Sequence, residues 1–369
     1  FDRIRSGYSP DSGNSQSLHA DAYTDPAWYK TDLHSVIMRT WQWVCHVEKV
    51  RKPGSFVTID IAGQPIAVVR DREGVLRAFY NVCKHRAHEL LRGEGEATRI
   101  MCPYHAWVYK LDGQLVRAPE TEHLEDFNTR AICLDEVQVE EFCGFVFVNL
   151  DPKAASLSQQ SGNLETEIRH WAPDIEHLTF GKRLSYDIQS NWKNVVDNFL
   201  ECYHCPTAHK DFCDLVDMDT YKVTTHGIYS SHMAEAGNSP NAAYDVSNAT
   251  VRTHAVWWIW PTTCLMRYPG RSSMIVLNVI PVGPDRTLET YDIRSNWKNV
   301  VDNYLECYHC PTAHKDFCSL LEMDTYRVTT HGIYSSHMAE AGNTANSADD
   351  TSNATVKTHA VWWLWPNTC

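Results

Sequence analysis

Residues 81–107 read NVCKHRAHELLRGEGEATRIMCPYHAW and contain two closely spaced pairs of candidate metal ligands. Cys83, His85, Cys102 and His105 form the pattern C-x-H-x16-C-x2-H. Each short pair mixes one thiol with one imidazole, and a connection long enough for a strand separates the two pairs. The spacing therefore predicts two metal-binding loops held together by a small β domain.

Two thiolates and two imidazoles are what a [2Fe–2S] cluster of the Rieske type requires, with both thiolates on one iron and both imidazoles on the other. Neutral imidazoles in place of thiolates raise the reduction potential of such a cluster. A structural Cys2His2 zinc site uses the same residue types, but it usually pairs like residues as C-x2-4-C and H-x3-5-H. Four unrelated residues in a Cys- and His-rich chain are the other alternative. We predict the cluster.

The chain has 369 residues and a formal net charge of −13, which suits two domains and argues against nucleic acid as a partner. No apolar run approaches the ~18–20 residues of a membrane span, so we expect no membrane partner. Of the 13 cysteines, two are the predicted ligands and four arise from a repeat described below. The others are expected to be free thiols of a cytoplasmic protein.

Short apolar or alternating runs, separated by turn signals such as KPG, REG and LDG, predict an antiparallel β domain with both ligand loops between strands. A polar, helical stretch follows and reads as a connection between domains. The expected division is an N-terminal segment 1–40, the β domain 41–150, the connection 151–183, a second domain 184–290 and a repeat 291–369.

A second pair of candidate metal ligands, His204 and His209, lies in the stretch SNWKNVVDNFLECYHCPTAHKDF. Apolar residues at helical spacing predict a helix over 191–202. The two histidines are five residues apart and would not share one face of a regular helix. Pro206 lies between them and removes a helical hydrogen bond, so we expect the helix to break and the imidazoles to converge. Two histidines and one carboxylate form the facial triad that binds non-haem Fe(II) and leaves positions open for O2.

Both motifs resemble those of the α subunits of Rieske non-haem iron oxygenases, over about residues 20–290. CPYHAW is similar to the second cluster loop of that family, and CKHRAH is similar to its first loop, CPHRG, with Lys84 for Pro and Ala87 for Gly. DNFLECYHCPTAHK matches the family signature D-N-x-x-E-x-Y-H-x4-H. The resemblance implies an α+β fold: a Rieske-type antiparallel β domain, then a catalytic domain with a curved antiparallel sheet and helices.

The same resemblance implies a homotrimer in which the cluster of one subunit passes electrons to the mononuclear Fe(II) of its neighbour. A carboxylate that bridges the two centres corresponds here to Glu201, whereas most ring-hydroxylating members have Asp. Glu resembles the branch that acts on carnitine, glycine betaine and related quaternary amines. A solvated carboxylate on the helix surface is the structural alternative for Glu201. Trp257, Trp258 and Trp260 could hold a methylammonium group, or they could be sheet-core aromatics.

Residues 291–369 repeat residues 186–264 at a constant offset, and 65 of the 79 positions are identical. His204 and His209 recur as His309 and His314, and Glu201 recurs as Glu306. We expect a splice of two related genes. The repeat occupies the place where the family has its third iron ligand, an Asp or Glu on a later helix, and no matching segment is found. The first copy is therefore the candidate site. In this sequence its facial triad is expected to be incomplete.

The predicted activity is that of an oxygenase. An NAD(P)H-dependent reductase would supply electrons, O2 would bind at the mononuclear iron, and a small quaternary ammonium or betaine substrate would be hydroxylated, leading to N-demethylation or C–N cleavage. Two alternatives stay open. One is an aromatic ring-hydroxylating dioxygenase α subunit, and the other is an electron-transfer or metal-binding protein without oxygenase activity.

Overall fold

A computed structural model describes residues 7–9, 11–237, 251–270, 273–295, 321–331, 334–341 and 358–364. The chain begins with two helices, α1 (Asp21–Thr24) and α2 (Pro26–Ser35). Pro26 lies in the first turn of α2, where the missing N–H is not needed, and the Asp25 side chain accepts a hydrogen bond from the Ala27 N–H at 2.8 Å. Within the described residues, no helix is long and apolar enough to cross a membrane.

Ten strands then form the first domain. A seven-stranded antiparallel sheet has the order β1-β10-β9-β4-β3-β2-β5, and β6, β7 and β8 form a separate three-stranded sheet. The strands are β1 (Gln42–His46), β2 (Ser55–Ile61), β3 (Gln64–Arg70), β4 (Leu76–Tyr80), β5 (Glu94–Glu96), β6 (Ile100–Met101), β7 (Val108–Tyr109), β8 (Leu115–Arg117), β9 (Glu136–Phe142) and β10 (Phe145–Asn149).

Strand β3 is buried on both faces, because the first domain has a hydrophobic core on each side of the large sheet. Val68 belongs to the core that contains the interior residues of β1 and β10. Its neighbour Val69 belongs to the other core, which also contains Cys83 and Cys102. The alternation along one strand thus anchors the two predicted ligand loops on the packed face of a sheet.

The second domain is a seven-stranded antiparallel sheet of order β11-β17-β16-β15-β14-β13-β12, with helices on both sides. Two helices, α3 (Leu157–Gln160) and α4 (Leu164–Trp171), precede it. Its elements are β11 (Thr179–Ile188), α5 (Trp192–Leu200), α6 (Cys205–Ala208), α7 (Lys210–Leu215), β12 (Lys222–Thr225), β13 (Tyr229–Glu235), β14 (Thr253–Ile259), β15 (Thr263–Arg267), β16 (Ser273–Gly283) and β17 (Arg286–Ser295). The predicted α+β class is confirmed, with a β domain followed by a curved sheet and helices.

The two faces of the second sheet have different neighbours, as consecutive tryptophans of β14 show. Trp257 packs in one core with α4 and with Phe145 of the first domain. Trp258 points to the opposite face and packs against Trp192 of α5. The sheet therefore separates the first domain from the helix that leads into the second candidate site.

The end of the chain repeats part of this sheet as a three-stranded meander, β18 (Arg327–His331), β19 (Tyr334–Glu340) and β20 (Thr358–Leu364). The pairing registers of β12–β14 recur in β18–β20 with the same offset of 105 residues that the sequence shows: Lys222 pairs with Met233, and Arg327 pairs with Met338. Residues 291–295, the start of the repeat, complete β17 of the second domain. The predicted second-copy site residues Glu306, His309 and His314 lie outside the described residues.

Candidate metal centres and active-site cavity

The two cluster loops have the same backbone geometry. The N–H groups of Cys83 and Cys102 each donate to the carbonyl five residues later, at 2.9 and 2.8 Å. The residues four positions after each cysteine, Ala87 and Ala106, both have φ of 54° and donate back to the cysteine carbonyl at 3.0 and 3.1 Å. Both loops are thus closed by internal backbone hydrogen bonds, and each uses a left-handed residue at the place where glycine is favoured.

These loops bring the four predicted ligands together. Burial and the neighbouring Cys102 raise the pKa of the Cys83 thiol, and each of these two residues is 2% exposed. The ring centroids of His85 and His105 are 4.7 Å apart, and both imidazoles are exposed. The sulfurs therefore face the interior of the domain, and the imidazoles form its outer edge.

Two aromatic residues complete this centre, and the sequence analysis missed both. The buried Tyr109 hydroxyl lies 3.3 Å from the Cys83 Sγ and accepts a hydrogen bond from the Lys84 N–H at 3.0 Å. Trp107 stacks on His85 with ring centroids 5.0 Å apart and an interplanar angle of 6°. The alternation of Trp107 and Tyr109 directly after the second loop was the signal that could have found them, because both lie on one face of the strand.

The donor set fits a [2Fe–2S] cluster better than a zinc ion. A structural zinc site needs four ligands around one ion, whereas the cluster needs only two protein ligands on each iron. In the part of the chain that the structure describes, no three Cys, His, Asp or Glu side chains are grouped around a single ion position. Desolvation and the neighbouring His105 lower the pKa of His85, which favours the neutral imidazole that binds iron.

The second candidate centre is formed where α5 ends. Asn191 caps the helix, because its side chain accepts a hydrogen bond from the Lys193 N–H at 3.1 Å. The helix ends at Leu200, two residues before its predicted end. His209 has φ of −124° and ψ of 59°, which separates α6 from α7. The ring centroids of His204 and His209 consequently lie 5.0 Å apart in spite of their five-residue spacing.

Glu201 orients the first of these imidazoles. Its Oε1 lies 2.5 Å from the His204 Nδ1, and its Oε2 accepts a hydrogen bond from the Tyr203 N–H at 2.7 Å. The hydrogen bond to His204 lowers the pKa of Glu201, so the carboxylate is ionised and accepts the Nδ1 proton. This arrangement fixes the tautomer and leaves the Nε2 of His204 free to bind a metal.

Two observations concern the third iron ligand and the cysteines beside His204. Among the described residues, no carboxylate joins His204 and His209 as a third ligand. Cys202 and Cys205, which were expected to be free thiols, form a disulfide that encloses His204. The free-thiol expectation is wrong for this pair because the short turn after α5 brings their Cα atoms to 5.1 Å, within bonding range.

Both imidazoles open into a cavity of about 780 Å³ between α5–α7 and one face of the second sheet. The three tryptophans of the predicted methylammonium site do not contribute to its wall: Trp257 and Trp258 are buried in the sheet cores, and Trp260 is 45% exposed. Other aromatic rings and one buried carboxylate face the cavity. These are Phe199, Phe212, Tyr221, Tyr268, Tyr291 and Glu289.

Comparison with known families assigns both halves of the chain. The model of the Rieske [2Fe-2S] domain matches residues 40–128. The model of the ring hydroxylating alpha subunit catalytic domain matches twice, at residues 175–293 and 288–369. The second match covers the repeat, so both copies derive from the same kind of catalytic domain.

Individual relatives agree with this assignment. The carnitine monooxygenase oxygenase subunit of Escherichia coli K12 is 38% identical over 278 residues, covering 75% of this chain and 74% of the relative. The chloroplastic choline monooxygenase of Amaranthus tricolor is 31% identical, covering 77% of this chain and 62% of the relative. The solved structure of a quaternary ammonium Rieske monooxygenase superposes with a TM-score of 0.71 at 33% identity, covering 78% of this chain and 80% of that one.

A Rieske domain binds a [2Fe–2S] cluster, and the catalytic domain of this family uses a mononuclear iron. The α subunits of the family multimerise and work with O2 and a reductase. The two ligand loops, the paired imidazoles beside a cavity, the matches to both domain models and the similarity to these relatives agree: this chain belongs to the Rieske non-haem iron oxygenases, as an oxygenase α subunit.

Proposed function

We propose that this chain is the oxygenase component that hydroxylates a small quaternary ammonium compound next to its nitrogen. The observation that carries the proposal is the cavity that places His204 and His209 on one wall and aromatic rings on the others. Aromatic faces attract a methylated ammonium ion, which has no N–H to donate to polar groups. The names of the relatives, which refer to carnitine and choline, support the same substrate class.

The chain's own residues would have these roles. Cys83, His85, Cys102 and His105 hold the cluster, and His204 and His209 hold the mononuclear iron. When bound, the cluster supplies single electrons and the iron supplies O2 activation. Glu201 keeps the His204 Nδ1 protonated and the ring oriented.

The solvent exposure of the cluster histidines and of Glu201 supports electron transfer between the subunits of a homotrimer. His85 and His105 lie at the outer edge of the first domain, and Glu201 is exposed beside Tyr203, which is 95% exposed. One oxygen of Glu201 is held by His204, and an exposed carboxylate can accept a second hydrogen bond from an imidazole of another subunit. We propose that Glu201 bridges the two centres in this way. An NAD(P)H-dependent reductase would reduce the cluster, in the cytoplasm.

The test is product analysis with the full-length, iron-reconstituted chain, NADH, a reductase and O2. Carnitine, glycine betaine and choline would be offered beside naphthalene and benzoate. N-demethylation consumes one O2, two electrons and two protons, and releases formaldehyde and water. C–N cleavage releases trimethylamine instead. We expect one of these amine-derived products; a dihydrodiol from an aromatic substrate, with no amine product, would assign ring hydroxylation instead.

One observation favours a second candidate, an electron-transfer protein without oxygenase activity: among the described residues no carboxylate completes the iron site. Iron content separates the two candidates. An oxygenase would hold the two irons of the cluster and one more per chain, whereas the electron-transfer protein would hold the cluster only.

A further inference from the structure

A buried carboxylate faces the cavity from the central strand of the sheet. Glu289 and Tyr291 are two residues apart on β17, so their side chains project from the same face. Both line the cavity that contains His204 and His209. Glu289 is only 9% exposed, although carboxylates are rarely buried without a charged partner. The negative charge of Glu289 therefore needs a group that compensates it.

Besides the two candidate iron ligands, two residues that can carry a positive charge also line the cavity, Lys210 and His254, but Lys210 is exposed and burial lowers the pKa of His254 to about 4. Among the described residues, no Lys, Arg or His forms an ion pair with Glu289. Its polar neighbour on the same face of β17 is the Tyr291 hydroxyl, a neutral donor. Burial raises the pKa of Glu289, and the hydrogen bond from Tyr291 opposes this effect. One neutral donor compensates a buried carboxylate only in part, so a positive charge in the cavity would be strongly stabilised.

The rings that share this cavity are suited to the same ligand. Phe199, Tyr268 and Tyr291 line it together with Glu289. A quaternary ammonium ion cannot donate hydrogen bonds, and it is recognised by π faces together with a formal negative charge. A neutral molecule of the same shape would gain the contacts with the rings but nothing from the carboxylate.

We propose that Glu289, supported by the Tyr291 hydroxyl, is the counter-ion that makes this cavity select positively charged substrates over neutral ones of the same shape. This inference rests on the proposed function and adds a specificity-determining residue to it. Two other roles of Glu289 would give different results in the test below. Glu289 could be a protonated structural partner of Tyr291, or it could bind the iron.

The test compares choline with its uncharged isostere 3,3-dimethylbutan-1-ol, by isothermal titration calorimetry on the full-length, iron-reconstituted chain without O2. We expect choline to bind at least ~10-fold more tightly, which corresponds to about 1.4 kcal/mol. Glu289→Gln should weaken choline binding by about 10- to 100-fold and leave the Kd of dimethylbutanol within about 2-fold. Asp285→Asn is the matched control, since it removes an exposed carboxylate near the same strand and should change neither Kd.

Equal Kd values for the two ligands in the natural chain, or an unchanged preference in Glu289→Gln, would overturn the inference. Loss of the mononuclear iron in Glu289→Gln, with the cluster retained, would also overturn it and would make Glu289 a metal ligand. If that variant does not fold, Tyr291→Phe serves instead: it removes the donor that favours the ionised carboxylate, so the preference for choline should be lost at a higher pH than in the natural chain. A preference with the same pH dependence as in the natural chain would contradict the counter-ion role.

Failure of the inference can be distinguished from failure of the proposed function. Binding is measured without turnover, so charge selection that depends on Glu289 would stand even if no oxygenated amine is formed. Conversely, oxygenation of choline or carnitine with the same Kd in Glu289→Gln would leave the proposed function intact and remove only the role of this residue.

Discussion

The Tyr109 hydroxyl lies 3.3 Å from the Cys83 Sγ inside the core of the first domain, and it would be the donor to a cluster thiolate, which has no proton to give. A donor to a cluster thiolate stabilises the more negative, reduced state, so Tyr109→Phe should lower the reduction potential. A hydrogen bond to a charged group contributes about 1.5–3 kcal/mol, of which the two redox states share part, so we expect a decrease on the order of 50–100 mV. A redox titration followed by visible absorption measures it. Tyr80→Phe should leave the potential unchanged, because the Tyr80 side chain packs against the other core of the first domain, not the one that holds Cys83 and Cys102.

Glu201 supplies a second prediction for a single residue. Glu201→Gln should reduce product formation or affinity for the mononuclear iron by about 10- to 100-fold, because an amide cannot hold the Nδ1 proton of His204 as a carboxylate does. The reduction of the cluster by dithionite should not change. The control is Asp214→Asn, an exposed carboxylate on α7. Full activity in Glu201→Gln would mean that the carboxylate is only a solvated surface group.

The side chains that we propose as metal ligands carry a signal in the sequence, whereas those that we propose to adjust the sites do not. Cys83, His85, Cys102 and His105 stand at short spacings that few other structures require. Tyr109 and Glu289 carry no such signal, since a lone Tyr or Glu on a strand is common. Their roles depend on what lies opposite them in the folded sheet, which no local pattern specifies.

The elements that position the iron site depend on one helix cap. The Asn191 side chain accepts from the Lys193 N–H and donates to the Pro284 carbonyl at 2.8 Å, and the residue is 3% exposed. Asn191→Ala should lower the free energy of unfolding by about 1–2 kcal/mol, because both hydrogen bonds are lost in a buried place.

Chemical denaturation of the isolated full-length variant measures this change. Asn163→Ala is the matched control: Asn163 is the N-cap residue of α4 but makes no side-chain capping hydrogen bond. It should change the stability by less than about 0.5 kcal/mol. Equal losses in the two variants would contradict the role assigned to the Asn191 cap.

The sequence predicted most of the elements around the sites, but it did not predict the detailed turns. The break after α5 follows from Pro206 and from the five-residue histidine spacing. The disulfide between Cys202 and Cys205 does not, because it depends on the distance between two loop residues after folding. The positive φ of Ala87 and Ala106 was not predicted either, since alanine gives no signal for positive φ.

We expect that the repeat can be removed without cutting the sheet of the second domain. A chain that ends after Ser295 keeps β17, which pairs with both β11 and β16, and keeps every described residue of the cavity wall. It should fold and bind both the cluster and choline. A chain that ends after Asp285 lacks β17, and it should lose choline binding while it keeps the cluster. Circular dichroism and calorimetry of both chains test this, and loss of choline binding in both would assign the repeat a role in the site.

Acid should destabilise the whole chain through its buried histidines. Burial lowers the pKa of His46, His232 and His254 to about 4. Because these values lie below the ordinary 6.5, the unfolded chain binds protons that the folded chain rejects, and stability is lost as the pH falls from about 6.5 towards 4. Unfolding should take up on the order of one to three protons in this range. Thermal unfolding measured against pH tests it, and a Tm that is constant from pH 7 to pH 4.5 would contradict it.

Fold class and family were accessible from the sequence because both metal motifs occur in one order along the chain. The expected boundary between residues 290 and 291 stays a prediction: the repeat begins inside β17, and the first five residues of the copy complete the sheet of the second domain. Identical sequence in two places cannot indicate which copy a strand joins. Only the pairing of β17 with β11 and β16 shows it.

Single turnover tests most directly whether the cluster at Cys83, His85, Cys102 and His105 delivers electrons to an iron held by His204 and His209. The full-length chain would be reconstituted with iron, reduced with dithionite, freed of excess reductant, and mixed with O2 and carnitine or choline. We expect the cluster to be reoxidised together with the formation of an amine-derived product, and His204→Ala to abolish both while the cluster still forms. Reoxidation at the same rate in His204→Ala, or reoxidation without product in the natural chain, would contradict it.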